Sequence, residues 1–199
     1  MATKLSWQTA LLLPFAAGFL GASLSLFVSN TAVGEQATLP TGSGAALPAS
    51  AKPVHLAIPA IGVNASIQTV GLSKTGSGDI GIPSNFTDVA WYNGSPAPGN
   101  PGIAIIDGHL DGRYAPQAVF YHLGELDLGQ SIYVTDSAGT MREFVVTERE
   151  LIGSKADTSA LFASSNTPQL ALITCAGDWL PDKHQYTDRI VVFATLVKN

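Results

Sequence analysis

The chain has 199 residues, 46% of them hydrophobic, with ten Lys and Arg against fifteen Asp and Glu. That length suits one domain of ordinary size plus an appendage. The net charge of -5 is mild and the cations are scattered, which excludes the basic stripe a nucleic-acid partner requires, so no nucleic acid is expected.

Residues 11–28 carry no charged side chain. With residues 8–10 the run reaches about 20 residues, enough to cross a bilayer as a helix. Gly18, Gly21 and Pro14 are tolerated in such helices. Lys4 is the only charge in front and Glu35 the first behind. The positive-inside rule then places residues 1–7 in the cytoplasm, makes residues 8–28 a single-pass anchor in the cell membrane, and leaves the remainder outside. A cleaved signal peptide is the other reading, but its apolar core would be about 7–15 residues, and this run is longer. Residues 29–52 are mostly Thr, Ala, Gly, Ser and Pro, too poor in large apolar side chains to offset their ordering entropy. They read as a flexible tether. The folded domain is expected over residues 53–199.

From residue 54 on, short β-type runs alternate with Gly, Pro, Asn and Asp. Such runs fall at 54–58, 63–70, 89–92, 102–107, 130–135, 141–151, 169–175 and 188–197. Residues 136–139, Asp-Ser-Ala-Gly, read as a hairpin turn. Helical signal is weak, with a turn or two expected at 119–126 and again at 158–164. About eight strands at this spacing predict an all-β domain, a closed barrel or a sandwich. No internal repeat and no dinucleotide- or phosphate-binding glycine pattern is present.

Cys175 is the only cysteine. In an exported domain it has no internal disulfide partner, so it is reactive, partner-seeking or hidden. It closes the apolar run Leu170-Ala171-Leu172-Ile173-Thr174-Cys175, before Ala176-Gly177-Asp178 breaks the strand. A strand end holds a nucleophile more rigidly than a loop does. A buried core cysteine is the competing reading.

His109 has an equivalent place, three residues past the buried run 103–106 and between Gly108 and Gly112. Arg189 opens the apolar strand Ile190-Val191-Val192-Phe193-Ala194. Thiol, imidazole and guanidinium together suit acyl transfer: attack on a carbonyl, proton handling at the leaving amine, and stabilisation of the developing oxyanion. Asp107 and Asp111 flank the histidine as orienting groups or turn residues. Thr174 contributes through its hydroxyl or through strand packing alone. His184 is a rival base in a polar loop, and His122 is expected at the surface. Trp91, Tyr92 and Trp179 are candidates for a peptide groove or for the core.

The strand Leu172-Ile173-Thr174-Cys175 resembles the Thr-Leu-x-Thr-Cys motif of sortases, the cysteine transpeptidases of Gram-positive and related bacterial surfaces. The order His109, Cys175, Arg189 also agrees. Gly108-His109-Leu110-Asp111 and the following Ala118-Val119-Phe120-Tyr121-His122-Leu123-Gly124 resemble the family's block after the histidine, most like class F, with class E as neighbour. Tyr186-Thr187-Asp188-Arg189-Ile190-Val191 resembles its last strand. Ala171 and Gln130 depart from the pattern without removing a reacting group.

The resemblance implies a closed eight-stranded β-barrel with short helices and substrates carrying a C-terminal Leu-Pro-x-Thr-Gly-like signal. It implies a thioester on Cys175, His109 as general acid and base, and Arg189 on the oxyanion. The acceptor it implies is a lipid II or peptidoglycan amine. No cofactor is expected, and no metal, since an acidic calcium set is absent. Two rivals remain open: an exported cysteine peptidase, and a membrane-tethered β-domain that binds a surface partner without catalysis.

Overall fold

Alternation of apolar and polar residues turns the chain into strands, and the strands close on themselves. The structure, a computed structural model, describes residues 51–74, 79–112 and 114–198. The segments expected to form a cytoplasmic terminus and an anchor, together with the tether up to residue 50, lie outside the described residues. Among the described residues no helix is long and apolar enough to cross a membrane.

Eight strands follow in order: β1 (Pro53–Ile58), β2 (Val63–Val70), β3 (Val89–Tyr92), β4 (Gly102–Asp107), β5 (Ser131–Asp136), β6 (Met141–Gly153), β7 (Pro168–Leu180) and β8 (Gln185–Leu196). They pair as a closed barrel in the order β1-β2-β3-β4-β7-β8-β6-β5. Closure leaves no free sheet edge. The pairs β2–β3 and β4–β7 are parallel and the others antiparallel. The all-β barrel expected from the resemblance is therefore the fold observed.

The barrel interior is filled by Leu56, Ile58, Phe120, Leu123, Ile132, Phe144, Leu170 and Leu172, all fully buried. Each such side chain stabilises the fold by about 1.5–3 kcal/mol relative to exposure. A second apolar cluster lies on the outside of β4, β7 and β8 and holds Ile103, Ile105, Ala171, Val191 and Leu161. It explains why the run 102–106 shows no alternation: both faces of β4 are covered. Leu161 comes from a 3₁₀ turn, Ser159–Phe162, which together with a second turn at Leu123–Glu125 is all that the two expected helical segments form.

β7 does not end at Cys175 as its sequence suggests. It continues to Leu180 across an irregularity between Ala176 and Trp179, because pairing with β8 resumes at Trp179 with Tyr186 and Leu180 with Gln185. Gly177 absorbs that irregularity with a φ of +78°. A Cβ there would also sit 2.2 Å from both Thr187 Oγ1 and Asp188 Oδ2, so glycine is required twice over. β8 accordingly starts at Gln185, three residues before its expected start. The β5–β6 turn falls where expected. The Asp136 carboxylate accepts bonds there from the Ala138 and Thr140 amides and from Arg142 at 2.7 Å.

Gly108 packs directly on the core, since a Cβ at that position would lie 2.4 Å from the Phe120 ring. Gly108→Ala is expected to destabilise the domain by about 1–3 kcal/mol through overpacking. Urea unfolding should show this as a lower midpoint with an unchanged slope.

Candidate active site

The site is built where β4, β7 and β8 leave the barrel side by side. Cys175 on β7 is the register partner of Arg189 on β8. Directly opposed residues share a face, with Cβ atoms about 4.5–5.5 Å apart. That face is the outer one, since Ala171 and Val191 of the same parity belong to the external cluster. The thiol is half-buried there. The Arg189 guanidinium is steadied by Nη1 donating to the carbonyls of Asp188 at 2.8 Å and Tyr186 at 3.5 Å. Among the described residues it forms no ion pair.

His109 reaches the same rim from the loop after β4. The Gly108 amide donates to the Ile173 carbonyl at 3.1 Å, and Phe120 donates to the His109 carbonyl at 3.0 Å. The Thr174 hydroxyl donates to the Gly108 carbonyl at 2.8 Å. Thr174 is 1% exposed and turned into the barrel, so it ties the histidine loop to the thiol strand without lining the cleft. The imidazole packs on Phe86 with ring centroids 4.9 Å apart. Its Nε2 lies 3.0 Å from the Pro83 carbonyl oxygen. A carbonyl only accepts, so Nε2 carries the hydrogen, and Nδ1 is the nitrogen that gains or loses a proton.

A cleft of about 760 Å³ joins these groups, lined by His109, Asp111, Cys175, Trp179, Tyr186 and Arg189 among others. The Tyr186 hydroxyl donates to the Asp111 carboxylate and bridges the β7–β8 hairpin to the histidine loop. Burial, then the Asp111 bond and charge, push the Tyr186 phenol up to about 12. His184 also lines the cleft from the exposed hairpin tip, its ring 6.3 Å from Trp179. A smaller cavity of about 320 Å³ beside Leu161 and Phe162 holds no thiol or imidazole.

Charge around the thiol is divided. Burial pushes the Cys175 pKa up, Arg189 pulls it down, and Asp107 and Asp111 push it up again. Burial likewise lifts the Asp107 carboxyl to about 7 against the pull of Arg189. The resting thiol is therefore held protonated, and a nearby cation is what makes its anion accessible.

Of the residues singled out in the sequence, His109, Cys175, Arg189, Asp111, Trp179 and His184 share the cleft. Trp91 and Tyr92 do not line it. The Trp91 indole donates to the Pro96 carbonyl at 3.1 Å, and Tyr92 packs edge-on against Phe162 in the external cluster. His122 lies at the surface against Glu125. Sequence reasoning did not single out Tyr186 or the Pro83–Phe86 segment. Strand parity sets Tyr186 apart from Arg189, and nothing local links Pro83 to a histidine 26 positions away. Among the described residues no His, Cys, Asp or Glu group could hold a metal ion.

Residues 56–197 match the family model described as a sortase domain. No curated protein matches significantly. Among solved structures, a lid mutant of sortase A from Corynebacterium diphtheriae is similar at 21% identity and a TM-score of 0.59, covering 75% of this chain and 72% of that one. Sortase C-1 from Actinomyces oris is similar at 21% identity and 0.58, covering 73% and 72%. A sortase D5 transpeptidase from Clostridium perfringens is similar at 19% and 0.55, covering 74% and 79%. These structures share the fold, and the family match spans most of the chain. The chain belongs to the sortase family, whose members are cysteine transpeptidases of bacterial cell surfaces.

Arg189→Ala removes the cation facing the thiol. The iodoacetamide alkylation profile of Cys175 is expected to move to higher pH, with alkylation several-fold slower at pH 8. Tyr186→Phe removes a bond to a charged group, commonly about 1.5–3 kcal/mol. It should free the hairpin and lower kcat/KM for a peptide substrate by about tenfold, read in a steady-state assay.

Proposed function

We propose that this protein is a membrane-anchored sortase that cleaves a C-terminal Leu-Pro-x-Thr-Gly-like signal and transfers the cleaved protein to a cell-wall amine. The observation that carries this reading is the cross-strand pairing of Cys175 with Arg189 beside His109, in a chain of the sortase family. Residues 8–28 serve as the anchor and residues 29–52 as the tether in this reading. The Gly108-His109-Leu110-Asp111 block supports class F within the family.

The Cys175 thiolate attacks the carbonyl carbon of the Thr–Gly bond. Arg189 stabilises the oxyanion of the tetrahedral intermediate. As that intermediate collapses, the imidazolium of His109 gives its Nδ1 proton to the departing amine, and a thioester remains. An acceptor amine, from lipid II or a peptidoglycan cross-bridge, attacks the thioester and loses a proton to Nδ1. The new amide leaves and the thiolate returns. The contact of Nε2 with the Pro83 carbonyl leaves Nδ1 as the nitrogen for proton traffic in this reading.

Incubation of the protein with Leu-Pro-x-Thr-Gly and Leu-Ala-x-Thr-Gly peptides plus an oligoglycine amine tests the reading by mass spectrometry. Wild type should give the ligated amide, Cys175→Ala none, and His109→Ala and Arg189→Ala less than about 1% of the rate, since each removes a term usually worth 10²-fold or more. Ligation by Cys175→Ala would reject the mechanism. Hydrolysed acid alone would replace the transferase reading by a peptidase.

A further inference from the structure

Three adjacent strands present outward side chains near one another: Asp107 at the end of β4, behind the cleft lining, and Cys175 of β7 and Arg189 of β8 on the cleft itself. Asp107 shares parity with Ile103 and Ile105 of the external cluster, and its register partner on β7 is Ile173, one outward step before Cys175. Arg189 stands on the opposite flank of the thiol. Asp107 thus lies on the flank of β7 away from the cation, one outward step below the nucleophile, and is half-buried; burial and Arg189 act on its charge.

The neighbouring charges are few. The loop after β4 adds His109 and Asp111, with Asp111 engaged by Tyr186 of β8. On β3 the partner of Asp107 is the apolar Ala90, and Tyr92 of that strand packs on Phe162. Asp88, just before β3, is engaged by Gln68 and Asn85.

We propose that Asp107 is a positioning residue for the thiol: from the flank of β7 away from Arg189 its carboxylate opposes thiolate formation, so its charge sets how much thiolate the enzyme holds at a given pH. This rests on Cys175 being the nucleophile. The sign follows from Coulomb interaction. An anion beside the sulfur disfavours a second anion. Burial places the proton exchange of Asp107 at about 7, so the opposition grows as pH rises through neutrality and fades below it.

The 199-residue chain has one cysteine, so iodoacetamide alkylation read by mass spectrometry from pH 5 to 10 reports Cys175 alone. Asp107→Asn is expected to move the profile about half to one pH unit lower, with alkylation about three- to tenfold faster at pH 7.5. Asp107→Glu, which keeps the charge, should stay near wild type. Superimposable Asp107→Asn and wild-type profiles would overturn the proposal, and so would an Asp107→Glu shift as large as that of Asp107→Asn. Should Asp107→Asn fail to fold, Asp107→Ser carries the same comparison. Alkylation needs no peptide, so an unchanged profile sinks this inference alone, whereas absent ligation sinks the transpeptidase reading alone.

Discussion

The register between β4, β7 and β8 is the constraint on which the site depends. These three strands are packed between the barrel interior and the external cluster, so they cannot slip by one residue without turning Leu170 and Leu172 out of the core. The same register puts Cys175 opposite Arg189 and Asp107 beside Ile173. Geometry that a loop would hold loosely is here enforced by core burial. The two long-range bonds of the site build on that frame: Thr174 to the Gly108 carbonyl, and Tyr186 to the Asp111 carboxylate.

Electrostatics at the rim follows from the same arrangement. A sulfur on the outer face beside a covered strand loses hydration, which disfavours its anion. A cation directly across the ladder offsets part of that cost. The two carboxylates on the β4 side add to it. The neutral thiol is thereby the resting form, with Arg189 keeping its anion within reach. That suits a thiol which must be an effective nucleophile and then a competent leaving group when an amine attacks its thioester.

The strands were legible in the sequence because their signals are local. Alternation marks residues 63–70 and 131–136, and the uninterrupted run at 102–106 marks a strand covered on both sides. Cys175 and His109 stood out because each ends such a run. Other features were not legible, for reasons of distance along the chain. Gly177 reads as a terminator, and only the renewed pairing of Trp179 with Tyr186 shows that it is a local kink within a longer strand. The Pro83 carbonyl that orients the imidazole is a backbone group, invisible to side-chain patterns. The Tyr186–Asp111 bond joins residues 75 positions apart. Trp91 and Tyr92 carry no local mark of whether they pack inward or line a groove.

The solitary sulfur has a chemical corollary. Oxidation of a thiol to sulfenic acid proceeds through its anion and is reversed most simply by a second thiol that captures it as a disulfide. This chain holds no such second thiol. A resting state that keeps the sulfur protonated therefore makes it a slow target for peroxide, and so guards a group that the molecule has no internal means to repair.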